Sequence, residues 1–186
     1  MLNNQKNRIY IGDLPLSVTE GFIKNTLLEG YKGITKIELF KKKYETFCFV
    51  TFSSDNNIKK IITELNYTKI DGKPCRIVPA DEETLDIIRR RVGNVIICGL
   101  DESIEVSQLH EAFSNFGDII CSKIPMIYRK GEWVSRGYGY VQFRNPDDAK
   151  RAIRELIGAS INDKPLHLCE SLHKSKEFLD FQKRNN

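Results

Sequence analysis

The chain has 186 residues, 40% of them in the set AVILMFWYC and 29% charged, a globular composition with room for one or two domains that excludes a single disordered tail. The formal net charge of +4 is too small to require a polyanionic partner, but it is uneven: residues 1–80 carry 13 Lys and Arg against 8 Asp and Glu, residues 81–94 carry 3 against 4, and residues 95–186 carry 13 against 13. Apolar runs such as Val95 to Cys98 and Ile119 to Cys121 fall far short of the roughly 20 residues of a membrane span, and MLNNQKNR lacks a signal-peptide core, so a soluble intracellular protein is expected.

The sequence is written twice. IYIGDL at Ile9 to Leu14 returns as VIICGL at Val95 to Leu100, and FCFVTF at Phe47 to Phe52 returns as YGYVQF at Tyr138 to Phe143. Ile58, Ile61, Ile62 and Leu65 return as Ala149, Ala152, Ile153 and Leu156, and Lys73-Pro74 as Lys164-Pro165. In chain order, Ile9 to Leu14 reads as a β-branched and aromatic strand closed by Pro15. Ser17-x-x-Glu20 then reads as a capping box for a helix carrying Phe22, Ile23, Leu27 and Tyr31. Strands follow over Thr35 to Phe40 and Phe47 to Phe52. The apolar stripe 58, 61, 62, 65 marks a second helix, and the turn pair Asp71-Gly72 leads into a strand over Cys75 to Val78.

The second copy repeats the order. Leu109, Phe113 and Phe116 keep helical spacing up to Gly117, strands follow over Ile119 to Ile124 and Tyr138 to Phe143, and the stripe 149, 152, 153, 156 gives the next helix. Asn162-Asp163 is the turn before a strand over Leu166 to Cys169. MIYRKGEWVSRG accounts for the extra residues of this copy and is expected to be a longer hairpin loop. Each copy is therefore βαββαβ, an α+β ferredoxin-like unit with both helices on one face of an antiparallel sheet. The expected boundaries are 7–80 for the first unit, 81–93 for a linker, 94–171 for the second unit, and 172–186 for a terminal helix or further linker.

A sheet covered on one face should alternate apolar and polar residues along each strand. The third strand of copy one does not: with Thr46, Cys48, Val50 and Phe52 inward, Phe47 and Phe49 face outward, joined by Tyr10 from the first strand. In copy two Tyr138 and Tyr140 face outward beside Arg136. Adjacent exposed rings are costly unless something covers them; that cover is either another protein surface or unpaired bases, for which aromatic rings on a flat sheet are a stacking platform.

RGYGYVQF at Arg136 to Phe143 resembles the ribonucleoprotein octamer of the RNA-recognition motif, and IYIGDL resembles its hexamer. In copy one, Glu45 and Thr46 stand where the octamer has a basic residue and glycine. In copy two, Ile96 stands where the hexamer has an aromatic. Over residues 8–180 the pair is similar to the first two RNA-recognition motifs of the cytoplasmic poly(A)-binding proteins. The stretches that carry this are YIGDL with Val18-Thr19-Glu20, GKPCRI at Gly72 to Ile77, VGN at Val92 to Asn94, and FSNFGDI at Phe113 to Ile119.

The resemblance implies two sheets and a short linker that hold single-stranded RNA, the poly(A) tail of mRNA, with Tyr10, Phe47, Phe49, Tyr138 and Tyr140 stacking bases and Lys123 and Arg136 reaching base or phosphate. It also implies a cytoplasmic protein, with the nucleus as a second location, and a translation-initiation scaffold as a protein partner. Two departures remove hydrogen-bond donors: Pro79 to Glu83 replace a tryptophan and polar, partly basic residues, and Cys98 and Gly99 replace a lysine and an asparagine. Arg89 to Arg91 restore basic charge just before Val92. Asp13 and Gly12 match the family and are read as shaping the strand end, Gly137 and Gly139 as permitting packing, and Tyr44 and Trp133 as hairpin aromatics.

Two other readings stay open, a uridine-rich or pre-mRNA element reader with the same layout and a protein-docking pair of motifs. Catalysis is not expected, since there is no GxxxxGK[ST], GxSxG or HExxH. Cys48, Cys75, Cys98, Cys121 and Cys169 lack CxxC spacing and read as buried hydrophobes. His110, His167 and His173 lack ligand neighbours, so no metal, cofactor or small-molecule substrate is expected.

Overall fold

Arg8–Gly12 alternates the fully buried Ile9 and Ile11 with Arg8 and Tyr10 and forms the first strand, β1, because β-branched residues at every second position suit a pleat covered on one side. The computed structural model describes residues 6–43, 45–161 and 164–170. After β1 come a short helix α1 (Glu20–Phe22) that continues as a π-helical turn (Ile23–Leu27), the strands β2 (Ile34–Lys41) and β3 (Thr46–Phe52), and helix α2 (Ile58–Leu65). A small hairpin, β4 (Lys69–Ile70) and β5 (Lys73–Pro74), turns at Asp71 (φ 50°) and Gly72 (φ 78°) and leads into β6 (Arg76–Pro79). The sheet order is β2-β3-β1-β6 with antiparallel pairing throughout.

The first helix start corrects the sequence reading. Its cap is Thr19, whose hydroxyl accepts from Phe22 N–H at 3.1 Å, while Ser17 donates to the Asp71 carboxylate at 2.6 Å. Val18 N–H bonds the Pro15 carbonyl at 3.3 Å, and this turn delays the helix by two residues. Tyr31 lies past the helix, where its N–H bonds the Leu28 carbonyl.

Helix α3 (Glu82–Arg90) occupies most of the segment read as a linker. Asp81 caps it, accepting from Thr84 N–H at 2.8 Å and Thr84 Oγ1 at 2.9 Å. The chain divides into two units near Asp86 and Ile87. The second unit contains β7 (Asn94–Cys98), α4 (Val106–Ser114), β8 (Ile119–Lys123), β9 (Met126–Arg129), β10 (Glu132–Ser135), β11 (Tyr138–Phe143), α5 (Pro146–Glu155), β12 (Ser160–Ile161), β13 (Lys164–Pro165) and β14 (His167–Glu170). Its sheet order, β14-β7-β11-β8, repeats that of the first unit. MIYRKGEWVSRG is not a loop: β9 and β10 pair as a two-stranded ribbon that turns at Lys130 (φ 50°) and Gly131 (φ 91°), the left-handed pair of a tight hairpin. The turn pair Asn162-Asp163, Tyr44, and the tail from Ser171, His173 included, lie outside the described residues.

The first core gathers Ile9, Ile11, Cys48, Val50 and Phe52 from the strands against Ile23, Leu27 and Ile61 from the helices. In the second unit a Cβ on Gly139 would stand 2.7 Å from Leu109 Cδ2 and 3.0 Å from Leu100 Cδ1, so glycine here lets α4 close on β11.

All five cysteines are free, and four are buried. Burial pushes the Cys48, Cys75 and Cys98 thiols up to about 12. Unfolded thiols ionise near their ordinary value while the folded ones keep their protons, so stability should fall as pH rises from about 9 towards 12. Thermal melts across that range check the sign, and a chromogenic thiol titration at pH 8 should show these three reacting slowly until urea is added. Immediate reaction of all five in native buffer would contradict it.

Candidate nucleic-acid interface

Thr46, Cys48, Val50 and Phe52 of β3 are buried, which turns Phe47 and Phe49 to the sheet face away from the helices. Cross-strand register places Tyr10 opposite Phe49 and Phe40 opposite Phe47, so four rings share that face. Tyr10 lies 5.6 Å from Phe47 and 5.5 Å from Phe49, centroid to centroid; Phe47 and Phe49 meet edge to face at 6.0 Å and 88°. Phe40 and Phe47 are nearly parallel, 5.1 Å apart at 18°.

Tyr10 is shaped by its neighbours. A Cβ on Gly12 would fall 2.6 Å from the Tyr10 ring, so only glycine lets the ring lie along the strand. Asp13, in the left-handed region at φ 62°, pairs with Arg76 at 3.3 Å, and the Arg76 guanidinium stands 6.0 Å from the Tyr10 centroid. Asp13 and Gly12 thus shape the strand end, as their positions suggested. Burial pushes the Tyr10 hydroxyl up to about 12 against the opposing pull of Arg76, which keeps it a neutral phenol near pH 7.

Cations border these rings. The Arg8 guanidinium sits 4.1 Å over Phe49 and binds Glu38 at 2.7 Å, while Lys36 holds the other Glu38 oxygen at 2.7 Å. The Lys36 hydrogen bond, then the charges of Lys36 and Arg8, lower the Glu38 carboxyl below its ordinary value. Lys42 Nζ stands 5.0 Å over Phe47. Glu45, at the octamer's basic position, is exposed and belongs to the turn with Lys42.

In the second sheet, register aligns Tyr138 with Cys98, Tyr140 with Ile96 and Lys123, and Ile96 with Cys169. Tyr138 and Tyr140 stand 5.8 Å apart, edge to face, and the Arg136 guanidinium lies 5.7 Å over Tyr138. The expected residues are therefore together on the expected face. That face is not equally open, however: Ile96, Cys98 and Tyr138 form an apolar cluster with Tyr140 and Cys169, and Tyr138 is only 5% exposed. Burial pushes the Tyr140 hydroxyl up to about 12, with Tyr138 adding to the rise and Arg91 opposing it.

The third outward residue of β11 is Gln142, which the sequence reading passed over. Its amide donates to the Ile87 carbonyl at 2.8 Å and the Val92 carbonyl at 3.1 Å, fastening the end of α3 to the sheet just before the hexamer. Gln142→Leu leaves both carbonyls without this donor and should cost about 1–3 kcal/mol in a urea titration. It should also speed tryptic cleavage after Arg89, Arg90 and Arg91; an unchanged cleavage rate would remove this role.

Phe40 and Arg8 were also missed. Phe40 has no aromatic counterpart in the second copy, and the run KIELFKK gave no sign of which face it would join. Trp133, half-buried on β10, meets the exposed Tyr128 of β9 edge to face at 5.3 Å, so the ribbon carries its own ring pair.

The family model for the RNA recognition motif matches this chain twice, over residues 9–76 and 95–167. The chain belongs to the RNA recognition motif family. The two matched stretches fall on the two βαββαβ units; the rings of the first motif lie on its hexamer strand (Tyr10), its octamer strand (Phe47, Phe49) and β2 (Phe40), and those of the second on its octamer strand alone (Tyr138, Tyr140). Among curated relatives, polyadenylate-binding protein 2 of Arabidopsis thaliana is 31% identical over 171 residues, which is 90% of this chain and 27% of that protein. The polyadenylate-binding protein, cytoplasmic and nuclear, of Eremothecium gossypii is 31% identical over 91% of this chain and 28% of its own length. The chain thus spans little more than a quarter of these relatives. Among solved structures, the ternary complex of rna15, hrp1 and anchor RNA in 3' processing matches with a TM-score of 0.65 and 20% identity over 88% of this chain and 95% of that one. This second likeness bears on the tandem RNA recognition motif fold alone. No helix among the described residues is long and apolar enough to cross a membrane.

Proposed function

We propose that this chain binds single-stranded RNA by stacking bases on its two sheets, and that the RNA is the poly(A) tail of mRNA. The observation that carries the reading is the cluster of Tyr10, Phe47 and Phe49, three rings within 6.0 Å of one another on the sheet face opposite the core that α1 and α2 cover. Rings so placed offer π-faces to unpaired bases, each contributing roughly 1–3 kcal/mol, so three or four suffice for micromolar or tighter binding.

The residues assigned to contact are Tyr10, Phe47 and Phe49 in the first motif and Tyr138 and Tyr140 in the second, with Lys123 and Arg136 reaching base or phosphate. The relatives named for polyadenylate favour adenine and a cytoplasmic and nuclear location. The role is that of a binding module rather than a catalyst.

A fluorescence-anisotropy titration of a labelled twelve-nucleotide oligo(A), with oligo(U) and oligo(C) competitors at physiological salt, tests the reading. Preference for oligo(A) is expected. Equal binding to all three leaves a general single-strand reader, and preference for oligo(U) supports a uridine-rich element reader. The cluster of Ile96, Cys98 and Tyr138 favours a second reading for that sheet, the docking of a protein segment, and absence of binding to any oligonucleotide would turn the assignment to it.

A further inference from the structure

We propose that Phe40, on the edge strand β2, is a fourth stacking ring and forms with Phe47 a subsite for one additional nucleotide of single-stranded RNA. The inference rests on the RNA-stacking reading of Tyr10, Phe47 and Phe49 and extends it to the sheet edge.

Phe40 is 41% exposed, whereas the core phenylalanines Phe52, Phe113 and Phe143 are buried. It stands directly opposite Phe47 in the β2–β3 register and is nearly parallel to it, 5.1 Å away at 18°. It also meets Phe49 edge to face at 6.2 Å. The stacking surface is therefore continuous from Tyr10 on β1 through β3 to β2. An exposed aromatic on an edge strand is a hazard unless a ligand uses it.

Charge selects the ligand. Lys42 and Lys43 follow within three positions of Phe40 and are exposed, Lys42 leans over Phe47, and Lys36 lies two positions before Glu38 on the same face of β2; Lys41 is turned to the other face, where it donates to the Leu16 carbonyl at 2.6 Å. Glu38 itself is already held by Arg8 and Lys36, which leaves the border of the subsite cationic. A base on Phe40 would place its phosphate near these lysines, a geometry that suits RNA better than an apolar peptide.

The test uses the whole chain and oligo(A) of increasing length, comparing wild type, Phe40→Leu and Phe47→Ala by anisotropy, with circular dichroism melts to establish that each variant is folded. Leucine keeps apolar cover beside Phe47 but offers no aromatic plane. Phe40→Leu should weaken binding of long oligomers by roughly 5- to 100-fold, leave short ones unaffected, and shorten by one nucleotide the length at which affinity saturates. Ultraviolet cross-linking followed by mass spectrometry should place a nucleotide adduct on Phe40.

Wild-type affinity of Phe40→Leu at every length, with Phe47→Ala impaired, would overturn the subsite while leaving the platform intact. An equal loss at every length would also overturn it, since Phe40 would then merely support Phe47. Should Phe47→Ala itself bind as wild type, the underlying stacking reading fails.

Discussion

Phe47→Ala combined with Phe49→Ala is expected to weaken single-stranded RNA binding by roughly 2–6 kcal/mol, the sum of two lost stacking contacts. Both side chains point away from the core that Cys48, Val50 and Phe52 fill, so the loss should fall on affinity and not on folding. The neighbours sharpen this expectation. Arg8 and Lys42 would lose the rings over which they sit, but each remains cationic, so residual binding should become more dependent on salt. Anisotropy titrations at two ionic strengths measure both effects. A change of only a few tenths of a kcal/mol would remove the first sheet as a stacking platform. Tyr138→Ala with Tyr140→Ala has the same upper limit, but Tyr138 packs on Ile96 and Cys98, so that variant should also melt at a lower temperature.

Gly99→Ala should destabilise the second motif by roughly 2–4 kcal/mol, combining left-handed strain with a backbone collision. Gly99 has φ 86°, and a Cβ there would lie 2.5 Å from the Pro165 carbonyl oxygen. The position is also pinned, because the N–H groups of Gly99 and Leu100 both bond the Gly137 carbonyl, at 3.1 and 3.0 Å. The Gly99 side of the contact therefore cannot give way without straining these two hydrogen bonds. Gly131 provides the control: at φ 91°, a Cβ there would meet nothing within 4 Å, so its alanine variant should cost only the strain, about 1–2 kcal/mol. Urea titrations of the two variants separate strain from collision, and equal midpoints would show that the Pro165 contact relaxes at no cost.

The strands were legible because their signal is local. Alternating β-branched and aromatic residues placed β1, β3, β7 and β11 within a residue or two, and the repeat supplied the βαββαβ order of elements along the chain. The candidate site was legible to the same extent, since a residue's side of a strand follows from parity alone. What escaped the sequence depends on partners distant along the chain. Ser17 and Thr19 are both competent caps, and the Pro15 turn together with the Asp71 carboxylate decides between them. Phe40 acquires meaning only through its register against Phe47. Gln142 looked like an ordinary polar strand residue until Ile87 and Val92 supplied its acceptors. Parity likewise assigned Tyr138 to the outward face correctly, but accessibility is a property of everything around it.

The 5% exposure of Tyr138 has a kinetic counterpart. A base cannot stack on a ring that is already covered, so Tyr138 must pass through an uncovered state before it accepts one, whereas Tyr140 is half-buried. Apparent affinity there is the intrinsic affinity scaled by the fraction of molecules uncovered. Tyr10, Phe47 and Phe49, half-buried on their own sheet, carry no such requirement. In stopped-flow mixing, the first motif's phase should accelerate in proportion to RNA concentration, while the second levels off at the rate of uncovering. RNA would then be captured by the first motif and secured by the second, in that order.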